Sequence, residues 1–109
     1  MRQVMVRYKV KPKRVEENEE LVRAVYDELR HTEPAGLRYA TFKLDDGVSF
    51  VHLAVTESET GGSPLSKVKA FQEFQNNIED RTDEAPVVTA IEEIGSYRLL
   101  GDWTSIESR

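Results

Sequence analysis

The segment VSFVHLAV at residues 48–55 carries apolar side chains at nearly every position. A strand directs successive side chains to opposite faces of its sheet, and a strand with one face in water alternates apolar with polar residues. Here both alternate sets are apolar apart from Ser49 and His52: Val48, Phe50 and Ala54 belong to one set, and Val51, Leu53 and Val55 belong to the other. The sheet that contains this strand must therefore be covered on both faces.

The hydrophobic periodicity of the chain predicts six elements in the order βαββαβ. They are a strand over residues 3–11, a helix that begins near Pro12 and stops before Pro34, strands over residues 37–44 and 48–57, a helix over residues 64–78, and a strand over residues 87–100 with a bend at Gly95. The Asp46-Gly47 pair between the third and fourth elements is a strong hairpin signal. A Gly/Ser loop precedes the second helix, with Ser63 as its N-cap.

This order predicts an α+β, ferredoxin-like domain over residues 1–101, with a C-terminal tail over residues 102–109. Its four-stranded antiparallel sheet has two helices on one face, and residues 48–57 form a central strand. No element of the chain remains to cover the other face, so we expect a homodimer that packs sheet against sheet. The more uniformly aliphatic set, Val51 and its alternate neighbours, is expected to face the helices, which would turn His52 toward the partner.

The composition excludes several classes of protein. The 109 residues include no cysteine, so disulfides, thiolate nucleophiles and cysteine-ligated metals are excluded. The net charge of −5 makes nucleic acid an unfavourable partner. No stretch approaches the length of a membrane span or resembles a signal peptide, so a cytoplasmic protein with no membrane partner is expected. Neither histidine has a second ligand at a metal-binding spacing, so no metal site is expected.

The chain resembles the dimeric α/β-barrel superfamily, and within it the antibiotic-biosynthesis-monooxygenase-like proteins. The resemblance covers about residues 1–100 and lies in the βαββαβ order, the doubly apolar third strand and the aromatic helix after a Gly/Ser/Pro loop. It implies a dimeric α/β barrel that binds a small molecule between sheet and helices. It also implies a cofactor-independent monooxygenase of aromatic or polyphenolic compounds. None of the tyrosines or asparagines here matches a motif of that branch residue by residue.

A related branch degrades haem with an Asn–His–Trp arrangement in which the histidine lies on a helix. In this chain His31 comes at the end of a helix, His52 lies on a strand and the only tryptophan is Trp103 in the tail. The resemblance therefore implies no haem, and we expect no cofactor.

His52 and Asn18 are the candidate catalytic residues under this interpretation. His52 would remove a phenolic proton, and Asn18 would hold the resulting oxyanion. Structural alternatives remain for both: His52 as a packed imidazole hydrogen-bonded to a neighbour, and Asn18 at a solvated helix end. The candidate ligand-binding residues are aromatic, and each also fits a simple core role: Tyr26, Tyr39, Phe50, Phe71 and Phe74.

The alternative function is a non-enzymatic binding or stress-related homodimer whose apolar faces serve assembly alone. A helix–sheet interface without a cavity would favour this alternative. An effector-sensing domain of a regulator is weaker, because the sequence has no DNA-binding element beside the predicted fold.

Overall fold

The computed structural model describes residues 1–57 and 63–99. It has the predicted βαββαβ order, with the second helical region divided in two. The elements are β1 (Arg2–Val10), α1 (Val15–Thr32), β2 (Leu37–Lys43), β3 (Ser49–Thr56), α2 (Lys69–Gln75), α3 (Ile78–Arg81) and β4 (Thr82–Ala90). Short 3-10 turns precede α1 and α2. The predicted tail over residues 102–109 and most of the Gly/Ser loop lie outside the described residues.

The four strands form one antiparallel sheet in the order β2-β3-β1-β4. The predicted hairpin between β2 and β3 is confirmed. Its turn is held by the Asp46 carboxylate, which accepts hydrogen bonds from the backbone N–H groups of Val48 at 2.9 Å and Ser49 at 2.8 Å. Gly47 has a φ of 80°, a left-handed conformation that favours glycine. These local contacts hold the turn that pairs β3 with β2, and β3 pairs on its other side with β1 in the centre of the sheet.

The prediction of one continuous helix over residues 64–78 was wrong. Helix α2 ends at Gln75, and Asn77 adopts a left-handed φ of 63° before α3 begins. The cause is a side chain from further along the chain: the Arg81 guanidinium donates to the carbonyl of Phe74 at 2.7 Å and also contacts the carbonyl of Asn76 at 3.5 Å. These carbonyls at the end of the helix are satisfied by Arg81, so the chain can turn there.

The predicted bounds of the last strand were also wrong. Strand β4 begins at Thr82, five residues before the predicted start, and the described residues after Ala90 form no regular strand. Pro86 suggests a turn in the sequence, but β4 is an edge strand, where a missing N–H is tolerated. Pairing with β1 stops at Val4 opposite Ala90, and an apolar pattern alone does not show where a partner strand stops.

The expectation that Val51 and its alternate neighbours face the helices was wrong as well. The helices cover the set that contains Phe50 and His52, which pair across the sheet with Tyr8 and Val6. The core consists of aromatic and aliphatic side chains from the sheet and both helical regions: Tyr8, Val10, Val25, Phe50, Leu65, Val68 and Phe74. The rings of this set pack into that core: Phe50 stacks on Tyr8, and the His52 ring lies 5.3 Å from the centre of the Phe74 ring.

Replacing Gly47 with valine tests the hairpin turn. A β-branched residue in the left-handed conformation is strained, so we expect Gly47→Val to lower the free energy of unfolding by about 1–2 kcal/mol in urea titrations. Gly95→Val is the matched control, because an added Cβ there meets nothing within 4 Å and the backbone is not in that conformation. Equal stabilities for the two variants would contradict this description of the turn.

Candidate functional site

A cavity of about 750 Å³ lies between the helix-covered face of the sheet and the segment that runs from the second 3-10 turn through α3. Its walls are mainly apolar, with Val4, Val6 and Val88 on the sheet side and Leu65 and Ile78 opposite. The polar side chains in the wall include three that lie close together, Tyr8, Tyr39 and His52. An apolar cavity with a few convergent polar groups is the usual form of a small-molecule site.

Both ring nitrogens of His52 are engaged by hydroxyl groups. Its Nε2 lies 2.8 Å from the hydroxyl of Tyr8, and its Nδ1 lies 2.6 Å from the hydroxyl of Tyr39. The Thr41 hydroxyl lies 3.3 Å from the same Nδ1 and 2.7 Å from the hydroxyl of Tyr26. These residues come from α1 and three neighbouring strands, and the pairing of β1, β3 and β2 places Val6, His52 and Thr41 in one row.

The hydrogen-bonded chain continues from Tyr8 away from the cavity. Asn18 on α1 donates from Nδ2 to the Tyr8 hydroxyl at 3.0 Å, and its Oδ1 accepts from Nε of Arg81 at 3.0 Å. Asn18 is 0 % exposed and Arg81 is 1 % exposed. The Arg81 guanidinium also lies 5.3 Å from the centre of the Phe74 ring. One buried polar chain therefore runs from Arg81 through Asn18, Tyr8 and His52 to Tyr39.

Burial is the main cause of the pKa shifts in this hydrogen-bonded chain. It lowers the pKa of His52 from the ordinary 6.5 to about 4, so the imidazole is neutral at pH 7. Burial also raises the pKa of Tyr8 to about 12, against the opposing effects of the Asn18 hydrogen bond and the Arg81 charge. The pKa of Tyr39 is raised and that of Arg81 is lowered, again mainly by burial. At neutral pH, His52 is the member of the chain whose lone pair is most readily protonated.

The structure brings together some of the candidate residues and separates others. His52, Tyr39, Phe71 and Phe74 line the cavity, whereas Asn18, Tyr26 and Phe50 do not. Asn18 and Tyr26 belong instead to the hydrogen-bonded network around His52, where the amide of Asn18 is occupied on both sides. Phe50 stacks on the ring of Tyr8 with 5.6 Å between the ring centres.

Sequence reasoning missed Tyr8 and Arg81. Tyr8 alternates with Val6 and Val10 in an apolar set of β1, which is typical of a simple core residue, but that set faces the same side as His52 once β1 and β3 are paired. Arg81 lies in NNIEDRTDEAP, which reads as a solvated turn, and nothing nearby in the sequence indicates burial. Asn18 falls at helical spacing from Val22 and Val25, on the apolar stripe of α1, and an amide in that position needs a hydrogen-bond partner.

The described residues contain no group of three or more His, Asp or Glu side chains arranged to hold a metal ion. None of the helices in the described ranges is long and apolar enough to cross a bilayer.

Solved structures share this architecture. One from Nitrosomonas europaea, provisionally described as an antibiotic biosynthesis monooxygenase, matches with a TM-score of 0.70 at 16% identity over 87% of this chain and 100% of its own. A second antibiotic biosynthesis monooxygenase matches with a TM-score of 0.69 at 18% identity over 87% of this chain and 100% of its own. Rv0793 from Mycobacterium tuberculosis matches with a TM-score of 0.70 at 16% identity over 86% of this chain and 95% of its own.

The chain has the antibiotic biosynthesis monooxygenase fold. No protein-family model matches the sequence, and neither does any curated protein. Identities of 16–18% establish the fold alone, so the chemistry must be argued from the residues of this chain.

The depressed pKa of His52 predicts a loss of stability in mild acid. Between pH 6.5 and about 4, the histidine of the unfolded chain is protonated while the folded one is neutral. The unfolded state therefore binds more protons, and the free energy of unfolding falls as the pH falls through this window. The full contribution, present above pH 6.5, is on the order of 3 kcal/mol for a folded pKa of about 4.

Urea titrations at several pH values check this expectation. The dependence of stability on pH in this window should be weaker in His52→Gln than in the unmodified protein. It should be retained in His31→Gln, because His31 is an exposed residue at the end of α1. Parallel pH profiles for the unmodified protein and His52→Gln would contradict the depressed pKa.

Proposed function

We propose that the cavity binds a small aromatic compound and that the protein is a cofactor-independent oxygenase of phenolic or polyphenolic substrates. The observation that carries this proposal is the neutral His52, hydrogen-bonded to two tyrosine hydroxyls in the wall of an apolar cavity. Proton removal is what makes a phenol electron-rich enough to react with oxygen, and a neutral imidazole is a suitable proton acceptor.

The lining of the cavity supports an aromatic ligand. Phe71 and Phe74 lie on the helical wall with 6.0 Å between their ring centres, and Tyr39 meets Phe71 edge-on at 6.4 Å. Aromatic rings attract other rings in stacked and edge-to-face arrangements. The volume of about 750 Å³ falls within the range of sites for drug-sized molecules.

The proton leaves the substrate through Tyr8 in this mechanism. A substrate hydroxyl placed against Tyr8 passes its proton to the Tyr8 oxygen as the hydroxyl hydrogen of Tyr8 moves to Nε2 of His52, 2.8 Å away. The Asn18 amide, which donates to the Tyr8 oxygen at 3.0 Å, stabilises negative charge that develops there. Asn18 therefore acts through Tyr8 in this mechanism and not by contact with the substrate.

Molecular oxygen is the oxidant in the next step, and the substrate supplies all the electrons. A ring carbon of the phenolate bonds to O2 to give a peroxide. The C–H proton moves to the outer peroxide oxygen as the O–O bond breaks, which leaves a quinone carbonyl and hydroxide, and the proton held by His52 then converts the hydroxide to water. The substrate loses four electrons, one oxygen atom enters the carbonyl and the other leaves as water.

A purely assembly-related dimer is less well supported. A filled helix–sheet interface would favour that function, whereas this interface contains a large cavity with polar groups in its wall.

Oxygen uptake with 1,8-dihydroxyanthrone as substrate tests the oxygenase. The unmodified protein should accelerate uptake and quinone formation above the rate in buffer. His52→Gln should lose about a hundredfold or more of that rate, because an amide hydrogen-bonds but accepts no proton. His31→Gln is the matched control and should keep the full rate.

The oxygenase proposal fails if a panel of anthrones and naphthols shows no accelerated uptake. The role of His52 fails if His52→Gln keeps the rate of a substrate that the unmodified protein oxidises.

We also propose that the open face of the sheet joins two copies of the chain. This face is centred on half-buried apolar residues, Met5, Val51, Leu53 and Val55, none of which belongs to the core on the helical side. Phe42, opposite Val51 in the register, is 37% exposed. An apolar surface on a central pair of strands favours association, and a two-fold axis lets the same surface serve both partners.

Native mass spectrometry with size-exclusion chromatography tests the dimer. We expect a dimer for the unmodified protein and a monomer for Leu53→Lys, because the substitution buries a charge in the middle of the interface. Ala24→Lys, an exposed position on α1, should remain dimeric. A monomeric unmodified protein would overturn the proposal.

A further inference from the structure

The hydrogen bonds along the buried polar chain run from donor to acceptor in one direction, and Arg81 sets that direction. A guanidinium group has only N–H donors, so the oxygen of the Asn18 amide must face Arg81. The NH2 group of Asn18 then faces Tyr8 and donates to its hydroxyl oxygen at 3.0 Å. Arg81 thereby fixes which end of the amide meets the tyrosine, a choice that an amide alone leaves open.

The orientation of the Asn18 amide also determines the hydrogen bonds that Tyr8 makes with the imidazole of His52. The Tyr8 oxygen accepts from Asn18, and among the described residues Nε2 of His52, 2.8 Å away, is the only acceptor within reach of its single hydrogen. Nε2 is therefore an acceptor and carries no hydrogen. A neutral imidazole carries its hydrogen on the other nitrogen, so Nδ1–H donates to the Tyr39 oxygen at 2.6 Å.

We infer that Arg81, Asn18 and Tyr8 are positioning residues that hold His52 in the Nδ1–H tautomer, and that Tyr39 consequently presents a hydrogen-bond donor to the cavity. Because Tyr39 receives the hydrogen of His52, its own hydroxyl hydrogen is left for Thr41 or for a bound molecule. The cavity then selects ligands with an acceptor oxygen, a carbonyl or a phenolate. This ligand selection rests on the proposed aromatic site, whereas the tautomer does not.

The competing acceptor inside the protein is Thr41. Its hydroxyl lies 3.3 Å from Nδ1 of His52 and 2.7 Å from the Tyr26 hydroxyl. Burial raises the pKa of Tyr39, and hydrogen bonding by Thr41 opposes that rise. A ligand oxygen therefore replaces a neutral hydroxyl as the partner of Tyr39. A carbonyl or an oxyanion is a stronger acceptor than a hydroxyl in a site without water, so the Tyr39 hydroxyl would donate to the ligand in preference to Thr41.

The tautomer can be read from nitrogen-15 NMR of the imidazole ring in the ligand-free protein at pH 7, because protonated and bare ring nitrogens have well-separated chemical shifts. The chain has two histidines, so His31→Gln assigns the signals of His52. We expect a protonated Nδ1 and a bare Nε2. A protonated Nε2, or two protonated nitrogens, would overturn the inference, whatever the catalytic activity of the protein.

Asn18→Asp should reverse the direction of the hydrogen bonds from Asn18 through Tyr8 to His52. An ionised carboxylate only accepts, so it would take hydrogen bonds from both Arg81 and Tyr8. The Tyr8 oxygen would then accept from Nε2–H of His52, and the spectrum should show a bare Nδ1. Asn77→Asp adds the same charge at an exposed position and should leave the tautomer unchanged. An unchanged tautomer in folded Asn18→Asp would show that Asn18 does not set it; the spectrum of the unmodified protein decides the tautomer even if this variant fails to fold.

Binding of a matched pair of probes tests the donor at Tyr39. The probes are 2-acetylnaphthalene and 2-isopropylnaphthalene, which have similar shapes but differ in the carbonyl oxygen. The unmodified protein should bind the ketone about threefold to tenfold more tightly, the value of one neutral hydrogen bond. This preference should disappear in Tyr39→Phe and in Asn18→Asp.

Equal affinities of the unmodified protein for the two probes would overturn the donor at Tyr39 while leaving an aromatic site in place. Binding of neither probe would overturn both the ligand selection and the aromatic site on which it rests. The nitrogen-15 spectrum would still decide the tautomer.

Discussion

The buried Arg81 guanidinium is the constraint on which the rest of the structure depends. No carboxylate among the described residues forms an ion pair with it, and it is 1 % exposed. A buried charge without an ion pair costs several kcal/mol unless fixed dipoles replace its water. Carbonyl oxygens at the end of α2, the Asn18 amide and the face of the Phe74 ring supply those dipoles. The arginine thereby joins α1, α2 and α3 at one buried point.

Strand β3 links this buried point to the two proposed roles of the sheet. His52 and Phe50 project to the helical side, where Tyr8 connects His52 to Asn18. Val51 and Leu53 project to the open side, where they belong to the proposed dimer surface. Because successive residues of a strand point to opposite faces, one segment can be apolar throughout and still serve a cavity on one side and an assembly surface on the other. The histidine belongs to the first of these surfaces.

The sequence was sufficient for the fold and for part of the site. Period-two and period-3.6 patterns with the Asp46-Gly47 turn predicted the order of elements, because these signals are local. The sequence did not reveal which face of β3 the helices cover, since both alternate sets are apolar. The sequence also did not indicate that Arg81 is buried, because a charged residue in a polar stretch is normally in contact with water. The burial of Arg81 depends on Asn18, which is 63 residues away in the chain. The division of the second helix follows from that same distant contact.

The low pKa of His52 and its proposed role as a proton acceptor are compatible because a bound substrate would change the surroundings of the imidazole ring. Burial alone lowers it to about 4, and no charged group among the described residues counters that effect. A substrate oxyanion formed in the cavity would be an opposite charge close to the ring, and such a charge raises the pKa of a histidine. The imidazole would therefore gain a proton readily only when the substrate loses one. His52 would therefore stay neutral while no such negative charge is beside it.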